Sequence, residues 1–189
     1  MYRKQSKWIV LLSITFCAFL LSSTVAIAFE QQKGVAEGNL EIAAYVSISN
    51  SSADDSSDDV TMGIAAGSIG YFISDPIEIG TSFSYQLIDA GGSDSSQVLF
   101  QPFLRYHFFP SPMITPYLGV SLALGKIDYG TDDISLYGVG VSAGLNYFFK
   151  ENVAIGPELR YDYLTAETNA ADDLTMHTIG LYIFLKAYF

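Results

Sequence analysis

Thr178-Ile179-Gly180-Leu181-Tyr182-Ile183-Phe184-Leu185-Lys186-Ala187-Tyr188-Phe189 is the stretch on which the reading of the fold turns. Ile179, Leu181, Ile183, Leu185, Ala187 and Phe189 fall on one face; Thr178, Gly180, Tyr182, Phe184, Lys186 and Tyr188 fall on the other. A period of two is the signature of a β-strand, because successive side chains point to opposite sides of the sheet. Leu40–Ile48 sets Leu40, Ile42, Ala44, Val46 and Ile48 against Glu41, Ala43, Tyr45 and Ser47. The fifth such segment sets Pro116, Leu118, Val120, Leu122 and Leu124 against Tyr117, Gly119, Ser121, Ala123 and Gly125.

Working outward, the pattern repeats along the chain. Aromatic clusters recur at Tyr71-Phe72, Phe108-Phe109, Tyr147-Phe148-Phe149 and Tyr188-Phe189. Short turns follow the first three: Ser74-Asp75-Pro76, Pro110-Ser111-Pro112 and Lys150-Glu151-Asn152. A period near 40 residues raises the question of a solenoid or propeller. Each unit here is one strand, one polar loop and one return strand, which is a hairpin. Four longer polar segments alternate with the turns: Asn50–Asp59, Asp89–Ser96, Ile127–Ile134 and Thr165–Asp173. They hold twelve carboxylates and no Lys or Arg, so long loops and short turns lie at opposite ends of eight strands of about ten residues each. In the second strand Val60, Met62 and Ile64 are in phase and Ile69 is not, which predicts a bulge near Gly67-Ser68. Pro102, Pro116 and Pro157 share the apolar parity and are expected near strand starts or bulges.

Composition narrows the class. The chain has 189 residues, 50% hydrophobic and 14% aromatic, which suits one folded domain rather than a disordered segment. Nine basic residues face twenty acidic ones, which excludes a phosphate-binding surface and therefore a nucleic-acid partner. The one cysteine excludes an intrachain disulfide and a cysteine-rich zinc site. Residues 1–28 read as a secretory leader: Arg3, Lys4 and Lys7 precede an apolar run, Trp8 to Leu21, and Ala26-Ile27-Ala28 is the cleavage site. Cleavage leaves six bases, a net charge of −14 and no thiol. Residues 29–37 are then a short periplasmic lead-in, and 38–189 are the folded domain.

Two architectures satisfy the alternation. A soluble barrel puts its apolar face inside; a membrane barrel puts it outside, around a lumen of small and polar residues. The mixed face carries Glu41, Glu78, Arg105, Glu158, Arg160, Asp162 and Lys186, with His107, among many Gly, Ser and Ala. An eight-stranded interior is only just wide enough for its side chains, so rows of Leu, Val, Phe and Tyr would crowd it. Aromatic clusters at the strand ends match an interfacial girdle, and in hydrocarbon the sheet must close to pair every backbone group. The reading is all-β: an eight-stranded antiparallel up-and-down transmembrane β-barrel after a cleaved signal peptide.

The leader, the four hairpins and the C-terminal strand Thr178–Phe189 resemble the small OmpA/OmpX-type outer-membrane β-barrels, within the porin-like barrel family of Gram-negative bacteria. The resemblance covers residues 38–189. It implies outer-membrane residence with periplasmic termini and extracellular loops, and contact with outer-membrane lipid and lipopolysaccharide. It also implies handling by the outer-membrane assembly machinery through the C-terminal strand, with Gly180, Tyr188 and Phe189 as the assembly signal and Ala187 as a departure from the family's larger apolar residue. No peptidoglycan-binding domain is expected after Phe189.

The expected function is a structural or surface-interaction role in the envelope, and the alternative is a small porin-like channel for ions or small solutes. The two turn on the lumen charge network, since Glu41, Glu78, Glu158, Asp162, Arg105, Arg160 and Lys186 must pair in a narrow, desolvated space. Inward-parity glycines (Gly63, Gly67, Gly80, Gly119, Gly140, Gly144 and Gly156) leave either water-filled space or room for side chains from opposite strands. Asp54, Asp55, Asp58 and Asp59 form a candidate weak divalent-cation loop, although they lack the spacing, glycine and final Glu of an EF-hand. The acidic loops are also where an extracellular ligand would bind. His107 lies at the short-turn end of its strand and His177 at the loop end facing lipid, so no Ser–His–acid set shares a depth. Neither catalysis nor a cofactor is expected.

Overall fold

The computed structural model describes residues 34–53, 60–90, 93–109, 113–128, 133–167 and 174–189. The leader and the candidate cation loop of Asp54, Asp55, Asp58 and Asp59 lie outside the described residues. Eight strands are present: β1 (Leu40–Ala53), β2 (Val60–Ser74), β3 (Ile77–Ala90), β4 (Ser93–His107), β5 (Ile114–Asp128), β6 (Asp133–Lys150), β7 (Val153–Glu167) and β8 (Leu174–Tyr188). Each pairs antiparallel with its chain neighbours, and β1 pairs with β8, closing the barrel. Closure leaves no sheet edge, which is what a hydrocarbon environment demands of β-structure.

The stagger of the barrel follows from the register. From Glu41, the cross-strand partners run through Gly70, Gly80, Phe103, Ser121, Gly140 and Asp162 to Thr178. Glu41 itself pairs with Tyr188, ten residues further along β8. A stagger of that size over eight strands tilts them by about 40° and leaves an interior that side chains fill.

Inward and outward faces alternate along every strand. Leu122, Ile179 and Leu181, more than half exposed, lie on the outside with Ile69 and Val120. Glu41, Tyr45, Glu78, Arg105, Glu158 and Lys186 are buried inside. The strands run to 14–18 residues, longer than the apolar alternation indicates. Fifteen residues at this tilt rise about 38 Å, beyond an apolar band of about 25 Å. The ladder therefore continues into polar sequence: Asp89 is opposite Asp94 and Asp128 opposite Asp133, at positions that polarity alone assigns to loops.

The second strand corrects the expectation of a bulge at Gly67-Ser68. Register is unbroken there on both sides, and the irregularity falls between Phe72 and Ser74 instead. Ile64 is 5% exposed and Ile69 54% exposed, so Ile64 is an apolar lumen residue rather than a lipid-facing one out of phase. The same alternation turns Gly67 to the outside and Gly70 to the inside. Pro116 is the third residue of β5, near a strand start as expected. Pro102 and Pro157 lie in strand interiors, where the β4–β5 and β6–β7 ladders each skip two pairs without changing register. Each missing N–H thus falls where no ladder bond is made.

Candidate functional site: the lumen charge network

The inner wall is layered along the barrel axis. At the short-turn end Phe72, Phe148, Ala154 and Tyr188 form an apolar floor, with Val35 packed against it. The lead-in is folded against this floor. Gly34 N donates to Glu151 O at 2.7 Å, Asn39 Nδ2 to Gly34 O at 2.7 Å, and Gly38 N to Phe72 O at 2.9 Å. At the loop end, inward-facing Leu99, Ala123, Ile127, Leu136, Leu164 and Ala166 form an apolar cluster. Between floor and cluster sit the charges.

Arg105 is the hub. Its Nη1 donates to Glu41 Oε1 at 3.1 Å and to Glu78 Oε1 at 3.3 Å. Its Nη2 donates to Tyr45 Oη at 3.0 Å and to Glu158 Oε2 at 3.4 Å. The guanidinium carbon lies 3.9 Å from the centroid of the Phe103 ring, a cation–π contact in a desolvated setting. One side chain from β4 thereby ties together β1, β3 and β7, using the planar fork that makes Arg suited to several carboxylates at once.

The remaining charges extend this hub. Lys186 Nζ is 3.0 Å from Glu41 Oε2 and lies over the rings of Tyr117 and Phe184. His107 Nε2 is 2.9 Å from Glu78 Oε2. Tyr117 Oη donates to Glu158 Oε2 at 2.5 Å, opposite Arg160, whose Nε and Nη2 donate to Glu158 Oε1. Arg160 Nη1 donates to Gln101 Oε1 at 3.0 Å, and Gln101 Nε2 donates to Asp162 Oδ1 at 3.0 Å. All seven charges expected inside are inside and joined in one chain of contacts. Buried charges persist only with such partners, since desolvation costs several kcal/mol per ion.

Inward glycines make room for the side chains of this network. The Glu78 carboxylate lies against Gly70, the Arg105 stem and Ser142 Oγ against Gly119, the Tyr117 ring against Gly144, and the Phe184 ring against Gly156. Sequence reasoning missed the aromatic part: Tyr45, Phe103, Tyr117, Tyr182 and Phe184 separate and cover the charges. Their signal was available, because each has the inward parity of its strand. Also missed were the apolar cluster at the loop end and the lead-in's attachment to the floor.

The two histidines are far apart in setting. His107 is fully buried against Phe72 and Tyr117. His177 is on the outer surface, with Tyr161 Oη 2.6 Å from its Nδ1 and the Tyr163 ring edge-on.

No curated protein sequence matches the chain. The fold is similar to that of Neisserial surface protein A, which is 21% identical with a TM-score of 0.68 over 80% of this chain and 99% of that one. OprG of Pseudomonas aeruginosa matches with 13% identity and a TM-score of 0.55, over 84% of this chain and 99% of that one. PagL, named an outer membrane enzyme, matches with 11% identity and a TM-score of 0.50, over 74% and 97%. At these identities the likeness is one of fold. The family model for the outer membrane protein beta-barrel domain matches residues 15–183. The closed barrel, its apolar outside and its charged inside agree with that match: the chain belongs to the outer membrane protein beta-barrel domain family and resides in the outer membrane of a Gram-negative bacterium.

Proposed function

We propose that this protein is a plugged outer-membrane barrel whose lumen does not conduct and whose role is structural and surface-directed, through what its loops present outside the cell. The supporting observation is the section of the lumen around Arg105, where Glu41, Glu78 and Glu158 converge on one guanidinium and each carboxylate is fully buried. A conducting path at this level needs water beside the charges, and the charges here are covered by Phe103, Tyr117 and Phe184 instead. The floor and the attached lead-in add a second closure below. Exposed Asp128 and Glu167 at the loop ends continue the acidic character of the loop sequences, which suits cationic or neutral ligands and disfavours polyanions. The Neisserial relative is named a surface protein, in keeping with this reading. A catalytic role has no support in the placement of the histidines: His107 is sealed in the plug, and His177 is bonded by a tyrosine on the lipid side.

Single-channel recording of the refolded protein in planar bilayers tests the proposal, with folding verified by a heat-dependent gel shift. Folded protein that leaves the bilayer silent at low and high salt is the expected result. Discrete, reproducible steps would overturn it in favour of a small porin-like channel gated by the same charges.

A further inference from the structure

Asn146 is out of keeping with its surroundings. It lies on β6 with inward parity and is 0% exposed. Phe148 follows it on the same face, the Tyr117 ring lies against Gly144 before it, and the Phe184 ring lies against Gly156 on β7. An apolar residue would suit that company. Yet neither Oδ1 nor Nδ2 of Asn146 meets a hydrogen-bonding group among the described residues. A buried amide costs folding free energy when its donors and acceptor are left unmet. Native structures seldom keep such a group without a bound partner to answer it.

A second unmet group lies two strands away. His107 Nε2 is committed to Glu78 Oε2 at 2.9 Å, while its Nδ1, also buried, meets no partner among the described residues. β5 connects the two residues: Tyr117 is opposite His107, and Thr115, the next inward position, is opposite Asn146. Thr115 is 0% exposed, so its hydroxyl is enclosed as well. An imidazole nitrogen, a hydroxyl and an amide thus line one arc of the inner wall across β4, β5 and β6, on the short-turn side of Arg105. The nearby carboxylates of Glu41 and Glu78 already have cationic partners. What answers the arc is therefore a small neutral ligand that both donates and accepts, and water has that chemistry and size.

The lead-in lies over this arc. The β2–β3 and β6–β7 turns stand four strands apart, on opposite sides of the eight-stranded mouth. Glu37 N donates to Asp75 Oδ1 at 3.0 Å on one side, and Gly34 N donates to Glu151 O at 2.7 Å on the other. Residues 34–37 therefore cross the mouth as a strap. A Cβ at Gly34 would overlap the Phe148 ring, so the strap rests directly on the side chain next to Asn146. We infer that Asn146, Thr115 and His107 Nδ1 hold internal water on the periplasmic side of the charge network, and that Phe148, pressed down by the strap, closes this site. The site does not depend on whether the plug conducts, since the Arg105 hub lies beyond it.

Water-edited solid-state NMR on the full, isotope-labelled chain in phosphatidylethanolamine–phosphatidylglycerol bilayers tests the site. At mixing times too short for proton exchange, transfer from water to the Asn146 δ-amide and to the His107 ring should be several-fold above that to lipid-facing Val120. Transfer no higher than at Val120, at either group, would overturn the shared site. Asn146→Leu should lower the transfer to the His107 ring, because the water loses its amide partner. Transfer retained at His107 in that variant would also overturn it. Gly34→Leu reads the closure, since its side chain cannot sit on the Phe148 ring. With the barrel shown intact by the heat-dependent gel shift, deuterium should replace the Asn146 δ-amide protons several-fold faster than in the parent. Replacement at the parental rate would overturn the closure by Phe148 and the strap.

Discussion

Arg105 Nη1 lies 3.1 Å from Glu41 Oε1, joining β4 to β1 through the lumen. The same guanidinium also holds Glu78 and Glu158, so removing it leaves three fully buried carboxylates short of a partner: Glu41 keeps Lys186, Glu158 keeps Arg160 and Tyr117, and Glu78 keeps only His107. Arg105→Leu should cost about 3–5 kcal/mol, the usual penalty for breaking a buried pair on one side. The heat-dependent gel shift reads this as a lower midpoint. Arg105→Leu with Glu78→Leu should recover part of the loss, because the buried carboxylate left with only His107 as a partner is gone. An unchanged midpoint in the single variant would show that the network does not hold the barrel together.

Arg160 should matter less. It contacts one carboxylate, Glu158, which keeps Arg105 and Tyr117 as partners when Arg160 is removed. Arg160→Ala should therefore cost roughly 1–3 kcal/mol, below the cost of Arg105→Leu. With both replaced, planar-bilayer recording should show leak events absent from the parent. An Arg160 loss equal to the Arg105 loss would place the hub elsewhere.

The difference between these two arginines was not legible in the sequence. Parity alone put both inside, along with Glu41, Glu78, Glu158, Asp162 and Lys186, because a period of two needs only one anchored residue per strand. Which charge meets which depends on the stagger of the closed sheet. Glu41 and Arg105 become neighbours only once β1 closes on β8 with Glu41 opposite Tyr188. Ile64 misled for a related reason: an apolar residue reads as lipid-facing unless the interior is known to hold apolar layers. Asn39 and Val35 gave no periodic signal at all, since their role depends on a floor built by Phe72, Phe148 and Tyr188 from three strands.

Gly144 should be intolerant of a side chain in a way that traces to Tyr117. A Cβ at Gly144 overlaps the Tyr117 ring. Valine is otherwise favoured over glycine in a strand. Gly144→Val should nonetheless destabilise by about 1–3 kcal/mol, the usual cost of overpacking. A double-mutant cycle with Tyr117→Ala checks the cause: the valine should cost markedly less once the ring is removed. Equal costs in both backgrounds would mean the ring is not the obstacle.

Asn39 offers a way to separate the lead-in from the barrel. Its side-chain Nδ2 donates to Gly34 O at 2.7 Å, and its backbone oxygen accepts from Phe72 N at 2.9 Å. Asn39→Ala removes the first bond and leaves the second. Loss of a buried hydrogen bond is worth about 1–2 kcal/mol, which corresponds to roughly 5–30-fold in a local opening equilibrium. Amide exchange at Gly34 and Gly38, whose N–H groups bond Glu151 O and Phe72 O, should accelerate by that factor. The midpoint of barrel unfolding should hardly move, because the eight-strand ladder and the Arg105 network do not run through the lead-in. Faster exchange throughout β1 and β8 as well would mean that residues 34–39 also lock the closing seam. Unchanged exchange at Gly34 would mean that Val35 packing, not Asn39, holds the segment in place.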